Sequence, residues 1–140
     1  DRLDELLGRA PEESDVRYLR DLYGAEIAYA DSVLGELFGY LEERGFFQSG
    51  LLALTSDHGE EFFEHGGFAH RTTLYEEQVR IPLIFRGAGA QDWLGRAATR
   101  PARILDVAPT LLEAADLPQP VEWSGISLAA HDAERPQLLS

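Results

Sequence analysis

The 140-residue chain has the composition of a globular domain, with 44% hydrophobic and 10% aromatic residues, enough apolar surface to bury a core. Its 12 cationic residues are all Arg and face 25 acidic ones, a formal net charge of −13, which excludes nucleic acid as a main partner because phosphates would be repelled. It has no cysteine, which excludes disulfides and thiolate metal sites within these residues.

The first predicted element is a long amphipathic helix from Val16 to Gly45. Apolar residues recur every three or four positions along it, which predicts one buried face. Ser14 or Asp15 is predicted to cap its amino-terminal end. Three glycines inside the helix each cost about 1 kcal/mol relative to Ala, so we expect close packing or a kink there.

Two short apolar runs then predict strands buried in a sheet. The run "GLLALTS", which starts at Gly50, does not alternate, as is typical of a strand covered on both faces of a parallel sheet. The run "RIPLIFRG" predicts a second strand, with Pro82 near its start. Between them, "TTLYEEQV" predicts a short helix capped by Thr72 or Thr73.

The remaining elements complete an alternating order. We expect a loop from Gly87 to Ala98, a third short strand at "PARILD", and a helix through "VAPTLLEAADL" with Asp106 as its cap and Pro109 in its first turn. The tail is expected to be irregular and held by Trp123 and Leu128. This order predicts an α/β fold with a mostly parallel sheet flanked by helices. In such folds ligands bind beyond the carboxyl ends of the strands.

The stretch "TSDHGEEFFEHGGFAHRTTLYEEQVRIP" carries the candidate chemistry. It follows the first strand and holds three of the four histidines. Asp57 and His58 stand at the carboxyl end of that strand, and a carboxylate with an imidazole can bind a divalent ion. Because neighbours in a strand point to opposite faces, both reach one ion only if the chain turns at Gly59. The alternative is that Asp57 caps a loop and His58 is an ordinary loop histidine.

His65 and His70 lie in a glycine-rich loop. Either imidazole could contact a substrate anion or act as a general acid, because it titrates near neutrality. Arg71 could pair with an anionic oxygen. Taken singly, each is more commonly an exposed loop residue, and His131 in the tail has no partner motif. Three nearby acidic residues are interpreted as a solvated face: Glu60, Glu61 and Glu64.

Several motifs together resemble one family. "TSDHGEEFFEHG" and "TLYEEQVRIPLIF", preceded by "YGAEIAYADSVLGELFGYLEERG" and followed by "ILDVAPTLLEAADLP" and "WSGISL", resemble the carboxy-terminal part of the sulfatase catalytic domain, in the alkaline phosphatase-like superfamily. The resemblance covers about Val16 to Leu128. It implies that residues 1–140 are a single-domain fragment of that α/β sandwich, from a hydrolase that cleaves sulfate esters of small molecules or glycans.

The resemblance also implies roles for individual residues. Asp57 and His58 match the metal ligands of the family, and His70 matches the contact to the sulfate or phosphate group, where it would hold an oxygen or protonate the leaving group. Arg71 is the second choice for this contact, and His65 remains an undecided loop residue beside it. The divalent ion is calcium, or manganese or zinc, which suit an imidazole ligand better.

Some expected parts do not occur in these residues. Similar proteins carry two further carboxylates and a Cys or Ser in a "C/S-x-P-x-R" segment, where the Cys becomes the formylglycine nucleophile. This chain has no Cys, and none of its Ser-containing segments matches. A chain that starts at Asp1 rather than Met is expected to be a piece of a longer protein. We therefore expect the fragment alone to be inactive and to need the remainder of the parent protein.

Two alternatives stay open. One is a phosphoryl-directed relative, such as a phosphodiester or phosphonate hydrolase or a phosphoethanolamine transferase. The other is a non-catalytic binding domain that retains the fold. The apolar runs are too short to cross a bilayer, and nothing near Asp1 has the layout of a signal peptide, so no compartment is predicted.

Overall fold

The computed structural model describes residues 11–70, 73–97 and 101–130. The chain forms two compact units. The first contains the residues up to Tyr40 together with His58–Ile81, and the second contains Leu41–Asp57 together with the residues from Pro82 onward. Within the described ranges, no helix combines the length and apolar character needed to cross a bilayer.

Helix α1, Glu13–Glu43, confirms the predicted long helix. The residue before it, Glu12, takes the N-cap position, so the prediction of Ser14 or Asp15 as the cap is wrong. Asp15 instead lies in the first turn, where its Oδ2 accepts the Glu12 backbone N–H at 3.0 Å. This is half of a capping box, in which a carboxylate three residues inside the helix satisfies the N–H of the cap residue.

The predicted buried face of α1 is only partly covered by the described residues. Asp15 and Leu19 are the buried residues of this helix. The three internal glycines do not interrupt it, and no described atom lies within 4 Å of where a Cβ would stand, so the close packing expected at them is not seen among the described residues. Four of the apolar residues predicted for the buried face are about half exposed: Leu22, Tyr23, Ile27 and Leu37.

A two-stranded sheet lies in the second unit, after the short helix α2, Phe46–Ser49. Strand β1, Leu51–Thr55, pairs antiparallel with strand β4, Leu83–Gly87, and both strands had been predicted. The mostly parallel arrangement is not seen in the described strand pairs, which are both antiparallel. The chain leaves and re-enters at one end of the pair, where Thr55 Oγ1 donates to the Pro82 carbonyl at 2.9 Å.

The segment between β1 and β4 contains a small hairpin and a helical turn. Strands β2, Glu61–Phe62, and β3, Phe68–Ala69, pair antiparallel. Helix α3, Glu76–Val79, confirms the short helix predicted here. Its N-cap is Tyr75 and not Thr73.

Three helical elements follow β4. Helix α4, Ala90–Ala97, replaces the predicted loop, a 3₁₀ turn at Ile104–Asp106 replaces the predicted third strand, and helix α5, Val107–Ala114, confirms the last predicted helix. Pro109 lies in the first turn of α5 as expected. Burial of Trp93 accounts for α4, because tertiary packing overrides the weak helix preference of a Gly-containing segment.

The core of the second unit forms where α4 meets the sheet. The rings of Phe85 and Trp93 meet edge to face with centroids 5.1 Å apart, a favoured aromatic geometry. Leu128 is buried in this core and holds the tail as predicted, whereas Trp123 is 45% exposed. The described chain combines helices with small sheets, as in a partial α/β fold.

The fully buried carboxylate of Asp106 ties α5 to the tail. It accepts the Arg103 N–H at 3.0 Å, the Arg103 guanidinium at 2.9 Å and the Ile126 N–H at 2.8 Å. Burial alone would raise the pKa of Asp106, but these hydrogen bonds and the Arg103 charge outweigh it and lower the pKa below its ordinary value. Asp106 takes the N-cap position of α5, as predicted, although its side chain makes no capping hydrogen bond to that helix.

Candidate metal and anion site

The candidate site begins where β1 ends. Asp57 is exposed, and Ser56 Oγ lies 3.5 Å from its Oδ1. His58 is partly buried, and its Nδ1 lies 2.9 Å from the Gly59 carbonyl oxygen. Because a carbonyl can only accept, this contact assigns the Nδ1 proton of His58 to the hydrogen bond.

The imidazoles of His58 and His70 are stacked, with ring centroids 3.6 Å apart and planes inclined by 28°. Glu60 Oε1 lies 2.7 Å from His70 Nδ1 and 3.9 Å from His58 Nδ1. One potential ligand atom from each of these three residues lies within 4.8 Å of the others. Two imidazoles and a carboxylate form a donor set found at catalytic zinc sites. Two histidines singled out in the sequence thus come together, and Glu60 joins them.

A second group surrounds His65. His65 Nδ1 lies 2.7 Å from Glu77 Oε1, and its ring stacks on Tyr75 with centroids 3.5 Å apart. Glu61 completes this group within the same 4.8 Å limit. The Glu61 oxygens, however, already accept N–H groups of the loop, so the group has a structural explanation. Among the described residues, Asp57 belongs to neither group.

Glu64 anchors the hairpin to α1. Its carboxylate accepts the Phe62 N–H at 2.5 Å and pairs with the Arg20 guanidinium. Burial alone would raise the pKa of Glu64, but hydrogen bonds from the backbone N–H groups of Glu64 and Phe62, together with Arg20, lower it. The interpretation of these acidic residues as a solvated face is wrong for Glu61, which is 2% exposed, whereas Glu60 is partly buried and Glu64 is exposed.

Gly59 serves a different purpose from the predicted turn. It is not among the glycines with positive φ. A Cβ at this position would stand 2.1 Å from the Glu77 carbonyl oxygen, and the Gly59 N–H donates to the Gln78 carbonyl at 2.7 Å. The absence of a side chain lets the segment after β1 approach the α3 backbone.

Two residues of the site were missed from the sequence. Glu60 had a usable signal, because it stands two residues after His58 and alternate residues of an extended chain share a face. Gln78 had none, because its side chain meets the loop only through the fold. Arg71, the alternative anion contact, and His131 lie outside the described residues.

Comparison with known proteins decides the family. The sulfatase family model matches residues 6–117. The chain belongs to the sulfatase family. Arylsulfatase K of Bos taurus is 34% identical to it over 122 residues, which make up 87% of this chain and 22% of that protein.

Two further matches agree with this assignment of the sulfatase chain. The multifunctional alkaline phosphatase superfamily protein PehA of Trinickia caryophylli is 34% identical over 106 residues, 76% of this chain and 20% of that protein. The solved structure of BT4656 in complex with its substrate D-glucosamine-2-N,6-O-disulfate has 31% identity and a TM-score of 0.55, and the match covers 74% of this chain and 20% of that one. The resemblance to sulfatases and to the alkaline phosphatase-like superfamily is confirmed. The sulfatase chain spans about a fifth of the length of these relatives.

Proposed function

We propose that these residues belong to a divalent-metal-dependent hydrolase that cleaves sulfate esters of a small molecule or a glycan. Membership of the sulfatase family supports the reaction class. The observation that carries the proposal is the convergence of His58, Glu60 and His70 directly after β1.

His58 and Asp57 are the proposed metal ligands, and Glu60 is added to them on the geometry. The imidazole of His58 beside the carboxylates of Asp57 and Glu60 suits a borderline ion such as zinc or manganese better than calcium. When bound, such an ion supplies Lewis-acid neutralisation of charge on an ester oxygen. The Nδ1–H of His58 donates to the Gly59 carbonyl, so Nε2 is the nitrogen of this ring that would bind a cation.

His70 is the proposed contact to the ester. Its Nδ1 donates to Glu60 at 2.7 Å, which fixes the ring and assigns Nε2 to the substrate. A protonated Nε2 donates to a sulfate oxygen or passes its proton to the leaving oxygen. In a chain with a net charge of −13, such local donors must provide the attraction for an anion. Arg71 is the second candidate for this contact, and His65 the third.

These residues are proposed to supply only part of the catalytic machinery. The chain has no Cys that could become formylglycine, so a nucleophile of that type would come from elsewhere in the protein. The 140 residues alone are expected to turn over nothing, and the rest of the parent protein is expected to provide the nucleophile and further carboxylate ligands. Turnover of p-nitrophenyl sulfate by the purified 140-residue chain would contradict this.

The experiment that tests the function is a substrate panel on the intact protein. Aryl sulfates, sulfated glucosamine, a phosphodiester and a phosphonate would be compared after chelation and re-addition of zinc, manganese or calcium. We expect the highest kcat/KM with a sulfate ester and activity that needs the added ion. Full activity after chelation, or no turnover of any sulfate ester, would contradict the proposal.

A second candidate is hydrolysis of phosphodiesters or phosphonates. The 34% identity to PehA, a multifunctional protein of the alkaline phosphatase superfamily, favours it. The same donor set would neutralise a phosphoryl oxygen as well as a sulfuryl oxygen. A higher kcat/KM with the phosphorus esters would establish this candidate, and no turnover with any ester would favour a non-catalytic binding domain.

A further inference from the structure

We propose that Glu61 and Gln78 form a buried positioning pair that holds the imidazoles of His58 and His70 against Glu60. The proposal rests on the proposed function for its consequence, because His58 and His70 are the proposed metal and anion contacts. The pair itself touches neither metal nor substrate in this scheme.

Glu61 is a carboxylate held entirely by N–H donors. Its residue is 2% exposed and lies in β2. Oε1 accepts the backbone N–H of His65 at 3.0 Å and of Gly67 at 2.7 Å, and Oε2 accepts Gln78 Nε2 at 3.1 Å. An ionised carboxylate carries no hydrogen, so the Glu61 side chain can accept all three of these N–H groups. Glu61 therefore fixes the path of the loop between β2 and β3.

Gln78 connects this carboxylate to both sides of the site. Its residue is 7% exposed, and Nε2 donates to Thr73 Oγ1 at 2.6 Å as well as to Glu61. Its backbone carbonyl accepts the N–H of Gly59 at 2.7 Å. Gly59 lies between His58 and Glu60 in the sequence. Gln78 therefore contacts the backbone next to His58 and, through Glu61, the loop that leads to His70.

The strained residue before His70 indicates why such support is needed. Ala69 lies in the left-handed region with φ 67°, which side chains other than Gly rarely adopt. It is the register partner of Glu61 in the hairpin, and its carbonyl lies 3.5 Å from Gln78 Nε2. Backbone in this region persists where its surroundings enforce it, and such positions cluster at functional sites. The buried pair holds Ala69 in this conformation, and the backbone of Ala69 sets the direction of His70.

The chemistry of the pair allows a sharp test. Glu61→Gln keeps the shape of the side chain but turns an NH₂ group toward the NH₂ of Gln78, so that two donors face each other. Adding Gln78→Glu reverses the pair, because Gln at 61 then donates to Glu at 78, and the Thr73 hydroxyl can donate to the same carboxylate. The double variant has the net charge of the wild type. Glu76→Gln, on the 83% exposed side chain that pairs with Arg80, is the matched control.

Two readouts on the intact protein test the pair. The first is Zn²⁺ affinity by competition titration, where partners that orient a ligand typically contribute 10–100-fold. We expect about a 10–100-fold weaker Kd in Glu61→Gln, a return to within about threefold of wild type in the double variant, and no change in Glu76→Gln. The second is the imidazole NMR spectrum of the metal-free protein with carbon-13-labelled histidine. We expect the His58 and His70 resonances to shift in Glu61→Gln and to return in the double variant.

The two readouts separate this proposal from the proposed function. If wild type binds no Zn²⁺ but the imidazole resonances move and recover as expected, the pair holds and the metal role fails. If the resonances of Glu61→Gln coincide with those of wild type, the pair is overturned whatever the affinity. Should Glu61→Gln fail to fold, Thr73→Val removes only one acceptor of Gln78. It is expected to shift the same resonances by less, and unchanged resonances would overturn the pair.

Discussion

His58 and His70 stack their rings while each Nδ1 faces a separate oxygen, the Gly59 carbonyl at 2.9 Å for the first and the Glu60 carboxylate at 2.7 Å for the second. Both oxygens are acceptors, so each neutral ring carries its proton on Nδ1. The two Nε2 atoms are then the nitrogens with lone pairs. In this tautomer Nε2 of His58 can ligate a cation, whereas Nε2 of His70 donates to an anion only when the ring is protonated.

The tautomer is the first testable consequence. Nitrogen-15 NMR of the metal-free protein above neutral pH is expected to show Nδ1–H tautomers for His58 and His70. Glu60→Ala removes the acceptor of His70 alone, so it should shift that ring toward the commoner Nε2–H form and leave His58 unchanged. Nε2–H tautomers for both rings in the wild type would contradict the hydrogen bonds described here.

Activity distinguishes the histidines of the loop. Because His70 is the proposed anion contact or general acid, His70→Ala is expected to lower kcat/KM about 10²–10⁴-fold. His65 pairs with Glu77 and stacks on Tyr75, so His65→Ala should act mainly through stability. Steady-state kinetics on the sulfate ester would compare the two variants. A larger loss in His65→Ala at equal stability would transfer the role to His65.

A glycine pair tests the close approach at Gly59. Gly59→Ala places a Cβ 2.1 Å from the Glu77 carbonyl oxygen, so overpacking is expected to lower the free energy of unfolding by about 1–3 kcal/mol. Gly24→Ala makes the same chemical change in α1, where no described atom lies within 4 Å, and should raise that free energy by about 1 kcal/mol. Urea unfolding of both variants measures the difference. Equal effects at both positions would show that the contact imposes no constraint.

Asp106 predicts how stability falls in acid. Its pKa in the folded chain is lowered by the Arg103 and Ile126 hydrogen bonds, which outweigh the opposing effect of burial. The unfolded chain therefore takes up the proton first as pH falls. The stabilisation is complete above the unfolded pKa of about 3.9 and is lost as pH falls through the lower folded value.

Unfolding free energies from neutral pH down to about pH 2.5 would test this, across the unfolded pKa of about 3.9. Asp106→Asn removes the titrating group, so its stability should be lower at neutral pH and decline less steeply in acid than that of the wild type. Parallel curves for the two proteins would mean that Asp106 does not contribute to the acid response.

Local sequence signals predicted the elements whose stability is local. The 3.6-residue period predicted α1, and the non-alternating apolar runs predicted β1 and β4. The direction of strand pairing was not predictable in this way, because it depends on where the intervening segment returns. The Thr55–Pro82 hydrogen bond shows that the chain enters β4 at the end where β1 finishes. Entry at that end makes the two strands antiparallel.

In the candidate site, too, only some residues could be identified from local sequence signals. Residues with chemical side chains at a strand end, Asp57 and His58, were found from position and residue type. Gln78 was not found from the sequence, because no motif or periodicity marks it out. Its importance follows from contacts with residues distant in sequence, such as the 3.1 Å hydrogen bond to Glu61.

The apolar stripe of α1, formed by Leu22, Tyr23, Ile27 and Leu37, affects the solubility of the purified polypeptide. Its half-exposed side chains attract any other apolar surface, while the net charge of −13 keeps copies apart. Added salt screens the repulsion but leaves the apolar attraction intact. Solubility is therefore expected to fall as ionic strength rises, and metal titrations are best made in dilute buffer.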